Sequence, residues 1–272
     1  MTVYWMTDHS NGLVDWNAQG RGGVFNSGNA TSVVEQGAGY GRTNDFRLRN
    51  DCVSDPLNPG DNGCRVFRTH LEAQNAPPYP PEGLRQAWFS AWYMFGATLE
   101  GTIRIPNWWN VWEWKSYFDT GSGDNAATWV IAVANRAAPF DRLFYFYMRD
   151  RVNEVNYAPL FTLNIGEMTW YHIEAFFKAS PASEQQGQVL VYLNNLLYLR
   201  ADNVQTTFTG SQYGDYNYGW AVTNYPDDTD PYETNIYVSN AAITSARIGD
   251  TWPPMLQDDV DYGPNWPGNG VP

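Results

Sequence analysis

The chain has 272 residues, with 16 basic and 29 acidic side chains and a formal net charge of −13. Nucleic acids and anionic membranes are both bound through Lys and Arg, so this acidic chain is predicted to bind neither. Aromatic residues make up 16% of the chain, which suits both half-buried β-strands and stacking against sugar rings. Chains of this length commonly form one all-β domain, and we expect a single domain here.

Strand-like segments recur along the chain, separated by clusters of Gly, Pro, Asn and Asp. They cover residues 45–49, 65–73, 85–95, 110–118, 128–134, 142–149, 170–179, 188–200, 218–224 and 235–243. Residues 180–187 interrupt two alternating runs and predict a hairpin connection. Because no amphipathic helical stretches separate the segments, they predict an all-β, antiparallel β-sandwich. We assign residues 1–250 to this domain, and the Pro- and Gly-rich residues 251–272 to a surface-packed tail or a linker stub.

The chain has two cysteines, Cys52 and Cys64, which flank a stretch rich in Gly, Asn, Asp and Pro. A loop of this length can close into a disulfide worth about 3 kcal/mol in the chain-entropy model. We therefore expect a disulfide, and with it a secreted or extracellular protein. No basic start followed by an apolar core opens the chain, so a signal peptide is expected to have been removed or left out.

One short segment alternates ionisable and other side chains: Arg68-Thr69-His70-Leu71-Glu72. The side-chain period of a β-strand is two residues, so Arg68, His70 and Glu72 are predicted to share one face. A second segment, residues 111–115, follows the same pattern.

In that second segment Glu113 and Lys115 alternate with Trp112 and Trp114, which are expected in the core between two sheets. Two such strands side by side would gather Arg, His, Lys and two carboxylates on one sheet surface. Paired charges on an open face add little stability, so this surface is where chemistry is expected. Its candidate catalytic residues are Arg68, His70, Glu72, Glu113 and Lys115.

Other side chains have predicted roles of binding or solvation. The candidates for contacting a sugar are Trp88, Trp92, Tyr93, Trp108, Trp109 and Tyr117. Asp227, Asp228 and Asp230 lie in one oxygen-rich loop and are candidate ligands of a structural calcium, although no cofactor is expected to be required. Because His172 and Glu174 alternate with Tyr171 and Ile173, a solvated outer face is expected for both, and His9 is expected on the surface.

The order of these segments resembles the concanavalin A-type jelly roll of polysaccharide lyases of the heparin-lyase and alginate-lyase kind. The resemblance runs from about residue 12 to residue 249. Its matching pieces are residues 12–16, the strand that ends at Glu72, and residues 88–93, 109–116, 170–174, 187–195 and 235–243.

In alginate lyases of this fold, the sheet lining a concave cleft carries an Arg-Thr-Glu-Leu-Arg-type strand and a Gln-Ile-His-type strand. Residues 68–72 are similar to the first, with His for Glu and Glu for the second Arg. Residues 113–115 are similar to the second, with Glu for Gln and Lys for His. The resemblance implies a concave polysaccharide-binding cleft in which the proton-transfer roles are redistributed.

Three functions are compatible with these residues. In a lyase acting by β-elimination, Arg68 would bind a uronate carboxylate, His70 or Lys115 would take the C5 proton, and Tyr93 or Tyr117 would protonate the leaving oxygen. In a glycoside hydrolase, Glu72 and Glu113 would flank the bond of a neutral glucan or xylan, although the chain lacks the Glu-x-Asp-x-Glu strand of laminarinases. The third is a carbohydrate-binding module without catalysis. All three predict a polysaccharide partner, and a monomer is expected.

Overall fold

The structure, a computed structural model, describes residues 1–18, 21–36, 46–53, 63–69, 85–96, 108–117, 125–135, 144–180, 183–207, 219–227 and 233–249. Within these ranges the regular elements are β-strands and one 3-10 turn, Val14–Trp16. The strands are β1 (Val3–Thr7), β2 (Asn17–Ala18), β3 (Arg21–Ser27), β4 (Thr31–Gln36), β5 (Phe46–Val53), β6 (Gly63–Thr69), β7 (Gln86–Phe95), β8 (Trp108–Tyr117), β9 (Asn125–Asn135), β10 (Phe144–Asp150), β11 (Val155–Tyr157), β12 (Trp170–Lys178), β13 (Gly187–Leu193), β14 (Leu196–Val204), β15 (Gly219–Asp227) and β16 (Glu233–Thr244).

The described strands form two eight-stranded antiparallel sheets that pack face to face. Sheet I has the order β14-β13-β12-β7-β16-β5-β4, with β1 paired to β16 as well. Sheet II has the order β11-β10-β9-β8-β15-β6-β3-β2. The predicted antiparallel sandwich is confirmed. No helix in the described part of the chain is long and apolar enough to cross a membrane.

The core follows from period-two alternation on facing strands. Along β10, Phe144, Phe146 and Met148 are buried in the core, whereas Tyr145 and Tyr147 are half-buried on the outer face. The core also contains fully buried tryptophans: Trp16, Trp109, Trp112, Trp114, Trp129 and Trp220. Burying a large apolar side chain stabilises a fold by roughly 1.5–3 kcal/mol, so this aromatic layer is a main source of the sandwich's stability.

Strand β8 contains a β-bulge that changes which residues face the core. Asn110 lies opposite Ala132 of β9, and Trp112 lies opposite the adjacent residue, Ile131, so Val111 is an extra residue without its own partner. A bulge of this kind shifts the alternation by one position. It turns Trp109 into the core, alongside Trp112, and turns Asn110 outward.

The segment predicted as a single strand over residues 188–200 is a β-hairpin. Strands β13 and β14 pair across a tight turn at Asn194 and Asn195, which have positive φ angles of 49° and 68°. Asparagine tolerates this left-handed conformation better than most residues, and two such residues in succession suit a two-residue hairpin turn. The connection predicted over residues 180–187 does join an antiparallel pair, β12 and β13. Residues 251–272 lie outside the described part, so their assignment as a tail stays a prediction.

The two cysteines are free thiols, so the predicted disulfide is wrong. Cys52 lies on β5 of sheet I and Cys64 on β6 of sheet II, and both are buried in a small cluster with Ala30. The Cys64 Sγ lies 3.1 Å from the carbonyl oxygen of Thr31 and 3.0 Å from that of Asp51, and its single S–H donates to one of them at a time. Burial raises the pKa of each thiol to about 12. The prediction of a secreted protein, which rested on the disulfide, stays a prediction.

Candidate functional site

An ion pair lies on the outer face of sheet II, where two of the predicted catalytic residues meet. Lys115 Nζ is 3.5 Å from Glu113 Oε2, and Asn110 Nδ2 donates a 3.4 Å hydrogen bond to Glu113 Oε1. Glu113 is only 2% exposed. Trp112 and Trp114 point the other way, into the core, as predicted. A buried carboxylate is stable here because a cation and an amide both contact it.

The register of sheet II identifies the neighbours of this ion pair. Glu113 lies opposite Val130 of β9 on one side and Ala221 of β15 on the other. Val130 in turn lies opposite Arg149 of β10, which places the Arg149 backbone two strands, or about 10 Å, from Glu113. The residues beside Glu113, Val130 and Ala221, are fully buried as well, so this part of the sheet face is covered.

Tyrosine and arginine side chains line the β10 side of this surface. Tyr147 is half-buried and lies opposite Ala132, which lies opposite Asn110. Burial raises the pKa of Tyr147, although the nearby Arg149 partly opposes that rise. Tyr147 is therefore a neutral phenol at ordinary pH. The Arg149 guanidinium forms an ion pair with Glu154 at the turn that follows β10.

We call Asn110, Glu113, Lys115, Tyr147 and Arg149 the β8–β10 cluster. It combines two cations, a buried carboxylate and a protonated phenol on one sheet face. Elimination from a uronate needs cations to neutralise the carboxylate and a proton donor for the departing oxygen. The cluster contains both kinds of group.

The other predicted catalytic residues lie at or beyond the end of β6. Arg68 lies opposite Trp220 in register. The preceding residue, Phe67, lies opposite Ala221, which in turn lies opposite Glu113. The side chain of Arg68, together with His70 and Glu72, lies outside the described part. The predicted grouping of these three residues with Glu113 and Lys115 therefore stays a prediction.

Two of the aromatic residues predicted to contact sugar are in the core, so those predictions are wrong. Trp109 packs against Phe95 and donates a 2.9 Å hydrogen bond from Nε1 to Asn224 Oδ1. The Tyr93 hydroxyl donates a 2.9 Å hydrogen bond to the Val111 carbonyl oxygen, and burial raises its pKa well above the usual range. Neither ring is exposed. Tyr93 therefore cannot protonate a leaving group.

The remaining candidates for sugar contact are divided between the two sheets. Trp108 is half-buried on the same strand as the ion pair and packs against Tyr225 of β15, with ring centroids 5.0 Å apart. Trp88 and Trp92 lie on β7, on the outer face of sheet I, and are not brought near Glu113. The side chain of Tyr117 lies outside the described part.

Three residues expected on the surface are buried. His172 and Glu174 face outward from sheet I, but residues 245–249 cover them: Arg247 Nε donates a 2.7 Å hydrogen bond to Glu174 Oε2, and the backbone amide of Ile248 donates to Glu174 Oε1. His9 is buried and stacks against Trp16. Local alternation predicted the correct sheet face for His172 and Glu174. It could not predict that a distant segment of the chain covers that face.

Tyr147 and Arg149 were missed as candidate residues in the sequence, although a signal was present. Residues 144–150 read Phe-Tyr-Phe-Tyr-Met-Arg-Asp, an alternation of apolar residues with tyrosine and arginine. The chain carries many tyrosines, so only the position of β10, two strands away from β8, distinguishes these residues.

A calcium site remains a prediction. Asp227 ends β15, whereas Asp228 and Asp230 lie outside the described residues. Within the described ranges, no group of three or more His, Cys, Asp or Glu side chains is arranged to hold a metal.

Comparisons with known proteins identify the fold. No protein-family model and no curated protein matches the sequence. Among solved structures, an endo-β-1,4-glucuronan lyase from the fungus Trichoderma reesei matches with a TM-score of 0.58 and 11% identity, over 90% of this chain and 96% of the other. The PL-14 alginate lyase of Aplysia kurodai matches at 0.55 and 9%, over 90% and 100%. A mutant of alginate lyase Aly36B, in complex with alginate trisaccharide, matches at 0.54 and 13%, over 89% and 98%.

The chain therefore has a polysaccharide lyase-like jelly-roll fold, as the sequence resemblance predicted. At these identities the likeness establishes the architecture, and activity has to be argued from the site itself.

Proposed function

We propose that this protein is a polysaccharide lyase that cleaves a uronate-containing chain by β-elimination on the outer face of sheet II. The observation that carries the proposal is the β8–β10 cluster, in which the Glu113–Lys115 ion pair shares a sheet face with Tyr147 and Arg149. The lyases of similar fold act on glucuronan and alginate, which supports the same substrate class here.

The proposed roles follow from charge. Lys115 and Arg149 bind the C6 carboxylate of the uronate and stabilise the negative charge that develops on it when the C5 proton leaves. Glu113 holds the Lys115 ammonium in place through the 3.5 Å ion pair between Nζ and Oε2. Asn110 fixes the other oxygen of Glu113.

Proton transfer needs a base and an acid. We assign the acid to Tyr147, whose raised pKa keeps the phenol protonated until the glycosidic oxygen departs. We assign the base to His70. This assignment is the one that the sequence predicted, since His70 follows the end of β6 at Thr69 and lies outside the described part of the chain. The C5 proton passes to His70, the C4–O bond breaks, a C4–C5 double bond forms, and the departing oxygen takes the Tyr147 proton.

The test is turnover on a panel of uronate polymers and neutral glucans. We expect ultraviolet absorbance from an unsaturated sugar, in step with new reducing ends, on at least one uronate polymer. Reducing ends without that absorbance would instead mean a glycoside hydrolase. Retention of polymers without any product would mean a binding module.

Site variants connect that activity to the β8–β10 cluster. Lys115→Ala and Tyr147→Phe should each lower kcat/KM by roughly 10²- to 10⁴-fold, the usual contribution of an acid–base group or a charge stabiliser, with little change in Tm. Matched controls are Lys178→Ala, which removes the chain's other lysine on the outer face of sheet I, and Tyr237→Phe on β16. Equal loss in the controls, or full activity in the site variants, would contradict the assignment.

A further inference from the structure

An aromatic cluster lies on the outer face of sheet I, on the opposite side of the sandwich from the β8–β10 cluster. Phe176 of β12 lies directly opposite Trp88 of β7 in register. The Trp88 ring centroid is 5.2 Å from that of Phe176 and 5.8 Å from that of Tyr192 on β13. All three residues are half-buried.

This cluster differs from the rest of the same sheet face. On β4 and β5 the outward side chains form ion pairs, in which Glu35 joins Arg47 and Arg49, and Asp51 also pairs with Arg49. The half-buried rings of Trp88, Phe176 and Tyr192 form a contiguous aromatic surface instead, and such a surface with polar neighbours is typical of a binding site. Sugars bind to such surfaces because their apolar C–H faces stack on aromatic rings.

Two guanidinium groups border the rings. Arg247 lies over Tyr192, 3.9 Å from the ring centroid, and is held there by Glu174 and by Asn195 Oδ1, at 2.7 and 2.8 Å. Arg200 of β14 lies at the other side, at the end of a row that crosses four neighbouring strands. That row consists of Trp88, Phe176, Leu190 and Arg200.

We propose that Trp88, Phe176 and Tyr192 form a second carbohydrate-binding surface, which binds an anionic polysaccharide by stacking, with Arg200 and Arg247 contacting its carboxylates. Three strand spacings make the row about 14 Å long, which suits an oligosaccharide stretch rather than a single sugar. Arg200 pairs with Asp202 and Arg247 with Glu174, so a ligand carboxylate would share these guanidinium groups with the protein's own carboxylates. The identity of the ligand rests on the proposed function, since it is taken to be the polymer that is cleaved.

Two binding sites on opposite faces of one molecule act through effective concentration. A polymer held at the second surface keeps further stretches of the same chain near the β8–β10 cluster, which raises apparent affinity without any new contact at that cluster. A short oligosaccharide cannot reach both faces. The second surface should therefore affect turnover of long chains and leave turnover of short ones unchanged.

The test measures retention of the protein in gels that contain the polymer. In a Lys115→Ala background, in which turnover is strongly reduced, Trp88→Ala should weaken binding roughly three- to tenfold, the size expected for loss of one aromatic stacking contact. Arg200→Ala serves as a second variant that leaves the rings in place, and should weaken binding too. Tyr237→Ala on the same sheet face is the matched control and should bind as the parent does. In the active background, Trp88→Ala should lower kcat/KM on polymer but not on a tetrasaccharide.

The outcomes separate this surface from the proposed activity. Unchanged retention in both Trp88→Ala and Arg200→Ala, with turnover intact, would overturn the second surface and leave the lyase standing. Retention that depends on Trp88 in a protein without any lyase activity would support the surface and overturn the proposed function. A fall in molecular mass of Trp88→Ala in sedimentation, without a change in retention, would show that a second copy of the chain occupies the face, and would overturn the proposal.

Discussion

The histidines at positions 9 and 172 are both held neutral by burial. Burial lowers the pKa of His9 to about 4 and that of His172 to about 3, because the charged form loses its hydration. For His172, the nearby Arg247 adds repulsion between like charges. The neutral ring instead pairs with Ser90, whose Oγ is 2.7 Å from Nε2, and stacks against Trp92. A histidine on the surface would titrate near neutral pH, whereas His172 is uncharged and packs against its neighbours in the interior.

This burial predicts the pH dependence of stability. Between pH 6.5 and the lowered values, the unfolded chain binds a proton at each histidine and the folded chain does not, so stability rises with pH and is lost as pH falls. From pH 6 to pH 5 each histidine should lower the free energy of unfolding by about 1 kcal/mol. The measurement is urea denaturation at both pH values for the parent and for His172→Gln, in which the drop should be about 1 kcal/mol smaller. An identical drop in the two proteins would mean that His172 is not buried neutral.

At the scale of elements, alternation in the sequence predicted most strands and the antiparallel sandwich. It failed where a strand departs from strict alternation. The bulge at Val111 reverses the faces of Trp108 and Trp109 relative to the simple pattern, which is why Trp109 looked available to a ligand and is not. Nothing in the residues from 108 to 112 marks a bulge, because it is imposed by pairing with β9.

The candidate site was predictable in part for the same reason. Glu113 and Lys115 lie on one strand, and their shared face follows from local spacing. Tyr147 and Arg149 reach that face only because β10 and β8 both pair with β9. The covering of Glu174 by residues 245–249 is likewise a contact between distant parts of the chain. The periodicity of a single sequence indicates which face of a strand a side chain lies on, but it does not indicate which strands lie beside that strand.

The β13–β14 hairpin gives a prediction at this scale. Gly187 lies opposite Val204, and a Cβ on Gly187 would be 2.5 Å from the Val204 carbonyl oxygen, a backbone atom that cannot move aside cheaply. Gly187→Ala should therefore destabilise the protein by about 1–3 kcal/mol, the usual penalty for overpacking. The control is Gly166→Ala, where the nearest atom, the Tyr171 hydroxyl oxygen, would be 3.7 Å away. Thermal unfolding that shows equal Tm values for the two variants would contradict the strand pairing.

For the whole molecule, the sandwich separates two kinds of surface. The outer face of sheet II carries a buried ion pair with tyrosine and arginine beside it, and the outer face of sheet I carries ion pairs at one end and aromatic rings at the other. The acidic net charge is compatible with an anionic substrate only if cations are concentrated locally. Lys115 with Arg149, and Arg200 with Arg247, are placed on the two faces where a uronate chain is proposed to bind.

The two thiols report on the integrity of the whole sandwich. Cys52 and Cys64 are carried by different sheets and are buried together, and a pKa of about 12 leaves almost no reactive thiolate in the folded protein. Neither should react with a thiol reagent such as iodoacetamide at pH 8 until both sheets separate. In denaturant without reductant, both should be alkylated.

Mass spectrometry after alkylation measures this directly. The native protein should gain no label, and the unfolded protein should gain two, since the cysteines are free. Two labels on the native protein within minutes would show that the cluster with Ala30 is open to solvent. No label on the unfolded protein until a reductant is added would show a disulfide, and would restore the argument for an oxidising compartment. Because labelling requires the two sheets to part, its rate in increasing urea should follow global unfolding rather than fraying of the edge strands.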